Sequence, residues 1–169
     1  MCELPKDQVE RRSSSQLFIN GKRQVRARFP KKDSSISGRN GYIHPANSQL
    51  EWPHTYIKYD PKTFTDKRWV NPQGAILHIF AANYWGNLQW RIEDIDWDNH
   101  MIKFGEGGFQ INDIMQGKDA TGVNHRSLFY IENVFEELSF PGEWYLDSEK
   151  GVLYAIPEED IDLNSALIE

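Results

Sequence analysis

The 169-residue chain carries 19 Lys and Arg against 25 Asp and Glu, a formal net charge of −6, which argues against a nucleic-acid partner. A hydrophobic fraction of 39% is ordinary for a globular protein, and a chain of this length can bury a core without disulfides or metal staples. The single cysteine, Cys2, excludes an internal disulfide and a cysteine-built zinc site, and no apolar run is long enough to span a bilayer.

Residues 1–15 are polar, end on Ser13-Ser14-Ser15 and read as a lead-in or linker, with no apolar segment of the kind a signal peptide needs. Leu17-Phe18-Ile19 then forms a short strand, Asn20-Gly21 is a tight-hairpin signal, and 22–29 is the return strand, ended by Pro30. Alternation predicts Val25, Ala27 and Phe29 on one face. The other face would carry Lys22, Gln24, Arg26 and Arg28, so the basic cluster completed by Arg23, Lys31 and Lys32 reads as a solvated strand face.

Residues 31–50 are rich in Ser, Asn and Gly and read as a long loop. Tyr56-Ile57-Lys58-Tyr59 is a strand broken by Asp60-Pro61, and 75–80 is a more apolar strand suited to burial on both faces. Leu88, Trp90 and Ile92 alternate with Gln89, Arg91 and Glu93; a phase slip at Asp94, before Ile95 and Trp97, suggests a bulge. A turn at Asp98-Asn99 leads to a return strand over 101–104, and Gly105, Gly107 and Gly108 mark another loop. Phe129-Tyr130-Ile131 is a strand, 133–138 reads as a single helical turn capped by Asn133, and Trp144-Tyr145-Leu146 pairs with 152–156 in a hairpin that Pro157 stops. No helical periodicity of ten or more residues occurs. The pattern predicts an all-β fold, a sandwich or barrel of about eight or more short, mostly antiparallel strands. The domain plan is a lead-in over 1–15, one β domain over 16–157 and a tail over 158–169.

Candidates for chemistry are few. His44, His54, His78, His100 and His125 show no metal-ligand spacing, and no metal site or cofactor is expected. His78, mid-strand in an apolar run, reads as a hydrogen-bonded core or edge histidine. Gly105-Glu106-Gly107-Gly108 lacks the Lys-Ser/Thr and the helix of a phosphate loop, and Ser127 lacks a nucleophile elbow. Glu136, Glu137, Glu143 and Asp147 lie close in sequence, and glycoside hydrolysis needs two carboxyls across one sugar bond, so a Glu137–Glu143 pair is the strongest catalytic alternative. Structural roles are the plainer reading: Glu143 follows Pro141-Gly142 and belongs to turn geometry. Tyr84 and Trp85, in a turn-like stretch between two strands, are the candidate sugar-stacking residues, whereas Trp90, Trp97 and Trp144 are in phase with the core.

Two longer segments carry a resemblance. Gln16-Leu-Phe-Ile-Asn-Gly-Lys-Arg-Gln-Val-Arg-Ala-Arg-Phe-Pro30 resembles the opening of a domain inserted in bacterial right-handed β-helix glycosidases. Tyr130-Ile-Glu-Asn-Val-Phe-Glu-Glu-Leu-Ser-Phe-Pro-Gly-Glu-Trp-Tyr-Leu-Asp147, followed by Gly151-Val-Leu-Tyr-Ala-Ile-Pro157, resembles the close of the same domain, that of glycoside hydrolase family 141. The resemblance implies an all-β body packed beside a parent β-helix, a C-terminal tail leading back to that helix, a secreted or periplasmic parent, and carbohydrate as a possible partner. It implies no catalytic residue here, because the parent's catalytic carboxylates belong to the β-helix. A non-catalytic insertion domain flanking a carbohydrate cleft is therefore expected. The alternatives are a carbohydrate-binding module acting through Tyr84 and Trp85, and a self-contained glycosidase.

Overall fold

The computed structural model describes residues 2–3, 16–33, 40–46, 56–65, 68–82, 84, 86–108 and 123–169. Among these the strands, in chain order, are β1 (Cys2–Glu3), β2 (Phe18–Ile19), β3 (Lys22–Arg23), β4 (Val25–Arg26), β5 (Arg28–Phe29), β6 (Tyr56–Lys58), β7 (Ile76–Phe80), β8 (Asn87–Asp96), β9 (Met101–Gly107), β10 (Leu128–Glu132), β11 (Glu143–Asp147) and β12 (Val152–Ile156). Short 3-10 turns occupy Pro61–Phe64 and Phe135–Glu137. The all-β class stands, and among the described residues no sheet closes into a barrel. The described residues group into two compact units, one formed by Met1–Arg28 with Asn133–Glu169 and one by Phe29–Glu132.

The unit built from the two chain ends holds a four-stranded sheet in the order β1-β12-β11-β4 and the β2-β3 hairpin. Asn20 and Gly21 take φ of 50° and 75°, the left-handed pair that a two-residue hairpin turn demands. Glu143–Asp147 pairs antiparallel with Val152–Ile156, placing Trp144 opposite Ala155 and Tyr145 opposite Tyr154. Trp144, Leu146 and Leu153 turn inward and join Leu17 and Ile19 in one apolar cluster. The last residues close that cluster: Glu169 exchanges two backbone hydrogen bonds with Phe18, and Asn20 N–H donates to the Leu167 carbonyl. A partly open cavity of about 220 Å³ lies beneath them, lined by Leu17, Ile19, Leu153, Ala155, Leu163, Asn164 and Ile168.

Two sequence expectations fail in this unit. The 22–29 segment is not one alternating strand with its cations in water: Gln24, Arg26 and Arg28 are buried and Val25 is 53% exposed. The strand is broken into two-residue pieces, and β4 runs parallel to β11 with Arg26 opposite Trp144. The Arg26 guanidinium sits 4.4 Å from the Trp144 ring centroid, where the ring's π face compensates a charge taken from water. Nor does Asn133 cap the following turn, whose N-cap is Val134 without a side-chain cap bond. Asn133 takes φ of 61° and uses its amide as a false strand residue: Nδ2 donates to the Leu146 carbonyl and Oδ1 accepts from Leu146 N–H, both at 3.1 Å.

The Phe29–Glu132 unit is built on a sheet ordered β5-β10-β7-β8-β9-β6. Leu77, Ile79, Leu88, Trp90, Ile92, Phe129 and Ile131 are buried on one face, as period-two alternation requires. The predicted slip is present: β8 shifts register against β9 between Trp90 and Ile92 and again between Ile92 and Asp94, which lets Ile95 return to the core. Gly105 and Gly107, expected in a loop, instead extend β9. Their missing side chains admit the close approach, since a Cβ on Gly107 would collide with the Gln89 carbonyl. At one end of this unit Tyr59, Phe64, Trp69 and Trp97 pack edge to face, Phe29 lies tilted on Phe64 and edge-on to Trp69, and Arg68 lies over Trp97; Trp97 is half-buried here rather than fully in the core.

Candidate functional site

Of the two candidate sugar-stacking residues, Trp85 lies outside the described residues. Tyr84 is half-buried and left-handed at φ of 59°, a strained conformation for a bulky side chain, held by Tyr84 N–H donating to the Ala81 carbonyl and the Tyr84 hydroxyl donating to the Arg126 carbonyl at 3.2 Å. The polar end of this ring is thus turned back onto its own unit.

Two members of the acidic cluster, Glu143 and Asp147, accept hydrogen bonds from backbone amides. Glu143 is buried, and its Oε2 accepts from Ser139 N–H at 2.9 Å and from Phe140 N–H at 3.1 Å, closing the turn through Pro141-Gly142. Asp147 accepts from Lys150 N–H at 2.9 Å and from Lys150 Nζ at 2.8 Å across the β11–β12 turn. Burial pushes the Asp147 carboxyl up, but the hydrogen bonds and charge of Lys150 outweigh that and hold it below its ordinary value. Each of these groups does what the local chain geometry asks of a turn carboxylate.

His78 behaves as the sequence suggested. It is buried and stacks on Tyr130 with centroids 4.4 Å apart and planes 6° from parallel; its Nδ1 is 3.2 Å from Asn87 Oδ1 and its Nε2 is 3.1 Å from Glu132 Oε1. The pairing explains the position, because β10 and β8 place Tyr130 and Gln89 directly on either side of His78. Ser127 is fully buried, its Oγ accepting from Asn124 N–H, so it offers no exposed nucleophile. Among the described residues no group of three or more His, Cys, Asp or Glu is arranged to hold a metal ion.

The feature that sequence reading missed lies on the outward face of β11 and β12. Tyr145 and Tyr154 are cross-strand partners, and Phe135 from the adjoining 3-10 turn closes on both: centroids are 5.3 Å from Phe135 to Tyr145, 5.2 Å from Phe135 to Tyr154 and 6.0 Å between the tyrosines. Phe135 stands at 68° and 73° to the two phenol rings, so the three form a corner rather than a flat platform. Phe135 is 51% exposed and the tyrosines are partly exposed. Burial raises the Tyr145 phenol above its ordinary range, and the neighbouring charges of Asp147 and Glu136 add to this against the opposing charge of Lys150. The signal was available in the hairpin register: Tyr145 and Tyr154 fall out of phase with Trp144, Leu146 and Leu153.

The model of the GH141 insertion domain matches residues 1–158, nearly the whole chain. The chain belongs to the GH141 insertion domain family. No curated protein matches this GH141 insertion domain. It is similar to a solved structure titled "Glycoside hydrolase", at 20% identity and a TM-score of 0.64, over 90% of this chain and 26% of that one. At that identity the likeness speaks to the fold, and the GH141 insertion domain spans about a quarter of that protein's length.

Proposed function

We propose that this domain serves a bacterial, secreted or periplasmic β-helical glycoside hydrolase as a non-catalytic insert that flanks and shapes the carbohydrate cleft. The observation that carries the reading is the family match over residues 1–158. Two structural facts support it. The described segments nearest both chain ends, Cys2–Glu3 and Leu167–Glu169, add main-chain hydrogen bonds to the same compact unit, a geometry suited to splicing into a longer chain. The carboxylate of the best catalytic alternative, Glu143, is committed to two backbone amides.

The test has two arms. The chain alone, assayed on aryl glycosides and polysaccharides, is expected to show no turnover. In the longer enzyme, substitutions on this domain's surface are expected to raise KM for polymeric substrate while leaving kcat on a small aryl glycoside unchanged, because remote binding energy is lost without touching the reacting groups. Turnover by the chain alone that disappears in Glu143→Gln would defeat the proposal in favour of a self-contained glycosidase.

A further inference from the structure

We infer that Asn20 is a site of spontaneous backbone modification, gated by a strap made of residues 166–169. In the pair Asn20-Gly21 the asparagine carboxamide is open to attack by the next amide nitrogen, because glycine carries no side chain to shield that nitrogen. The Gly21 amide gives its proton to solvent base and its nitrogen bonds to Asn20 Cγ. The bond from Cγ to Nδ2 breaks, Nδ2 leaves as ammonia, and a five-membered succinimide closes. Water then opens the ring at either carbonyl, giving aspartate or isoaspartate, so water is the only reagent consumed. Both residues are exposed, and among the described residues nothing stands within 4 Å of the position a Gly21 Cβ would take, so solvent base reaches the attacking group.

The strap restrains both partners in this reaction. Asn20 N–H donates to the Leu167 carbonyl at 2.8 Å and Asn20 Oδ1 accepts from Leu167 N–H at 2.9 Å, beside the bridge between Ile19 and Ile168. The carboxamide is tied to Leu167, and the turn is fixed at φ of 50° and 75°. Ring closure needs the reacting atoms about 3–3.5 Å apart with the nitrogen lone pair aimed at Cγ, so the carboxamide must first leave Leu167 N–H. Leu167 is 60% exposed and Ile168 39%, so lifting the strap uncovers little apolar surface and is a local opening rather than global unfolding. The modification then acts in one direction. Isoaspartate adds a methylene to the main chain inside a two-residue turn that pairs Ile19 with Lys22 and Phe18 with Arg23, and the lengthened turn cannot hold that register for the strap to pair against. A second such pair, Asn40-Gly41, lies in the other unit, where Asn40 Oδ1 accepts from Asp33 N–H at 2.8 Å and a Gly41 Cβ would stand 2.8 Å from Lys32 Cα. It serves as an internal reference.

Peptide-mapping mass spectrometry of the full 169-residue chain, incubated at mildly alkaline pH, tests this directly. Asn20 is expected to convert at least about tenfold more slowly in the folded chain than in urea, the protection given by an opening that breaks two hydrogen bonds. Leu167→Pro deletes the N–H that holds Asn20 Oδ1 and is expected to return most of that tenfold at Asn20 while leaving the Asn40 rate unchanged. Leu167→Ala keeps the main-chain bonds and is expected to stay within roughly twofold of wild type. The wild-type chain supplies a measurement that needs no variant: the slowing of amide hydrogen exchange at Asn20, whose N–H is bonded to Leu167, should match the slowing of its conversion within about threefold, since one opening governs both. If Leu167→Pro speeds Asn40 as much as Asn20 it has unfolded the chain, and the wild-type comparison decides. Converted chain, once purified, is expected to lose exchange protection at the Phe18 and Glu169 amides. The inference is overturned if Asn20 converts as fast in the folded chain as in urea, if Leu167→Pro leaves its rate unchanged, if conversion and exchange at Asn20 are slowed by unlike factors, or if the converted chain keeps its protection at Phe18 and Glu169.

Discussion

Asn133 offers the sharpest check on the physical account of this fold, because one side chain carries two separable effects. It holds a left-handed φ of 61°, and its amide exchanges two hydrogen bonds with the Leu146 backbone, a residue only 5% exposed. Asn133→Ala removes both bonds, at about 0.5–1.5 kcal/mol each. It also puts a Cβ without compensating polar groups into the left-handed region, at roughly 1–2 kcal/mol. The total is a loss of about 2–5 kcal/mol. Asn133→Gly removes the same bonds but relieves the backbone, returning part of that benefit as chain entropy in the unfolded state, so it is expected to be about 1 kcal/mol milder than alanine. Asn133→Asp keeps the acceptor for Leu146 N–H and sets a carboxylate oxygen against the Leu146 carbonyl, placing it between wild type and alanine. Urea unfolding at constant m-value gives the differences, and hydrogen exchange at the Leu146 amide locates them. Equal costs for alanine and glycine, or unchanged protection at Leu146, would refute the reasoning.

Three further outcomes are expected. Glu143→Ala strips the acceptor from Ser139 and Phe140 N–H, and at about 1.5–3 kcal/mol for a charge-assisted bond it should lower the urea midpoint clearly, with Glu143→Gln milder because one oxygen remains. Gly107→Ala would drive a Cβ into the Gln89 carbonyl and to 2.6 Å from Trp90 Cα at φ of 144°, so a cost of about 3 kcal/mol or more should appear in thermal melts. Asp96, Asp147 and Asp162 are all held below their ordinary values, Asp96 and Asp162 by hydrogen bonds from Asn99 and Asn164 and Asp147 by Lys150 against its own burial. Lowered folded values mean that the unfolded chain binds protons first. Stability should therefore be complete above the unfolded Asp value of about 3.9 and fall as pH drops below it through the lower folded values, read as Tm against pH. Asp147→Asn should flatten part of that fall.

The strands with clean alternation were legible because a single buried face leaves a period-two record. The Asn20-Gly21 turn, the slip at Asp94 and the final hairpin all follow from residue chemistry that acts over a few positions. The 22–29 segment was misread for the opposite reason. The segment breaks into short pieces in which Arg26, Ala27 and Arg28 are all buried, and Arg26 turns inward because it meets Trp144, a residue more than a hundred positions later. Asn133 was misread likewise: its local context offers a cap, and its actual partner, Leu146, comes from a strand thirteen residues on. Nothing in the composition marks the division into two units, since one is assembled from both ends of the chain. The aromatic corner was hidden because Phe135 comes from a separate 3-10 turn and meets the two tyrosines only in the folded chain. Only the pairing of Tyr145 with Tyr154 shows that these two belong to the other face.

The closing segment has a practical consequence. The family match stops at residue 158, yet the last eleven residues carry Leu163 and Ile168 of the cavity wall and satisfy both the Phe18 N–H and the Phe18 carbonyl. A fragment trimmed to the matched span would leave the first hairpin with a bare edge above Leu17 and Ile19, a ready template for intermolecular strand pairing, and would precipitate for a reason unrelated to the stability of the sheets themselves.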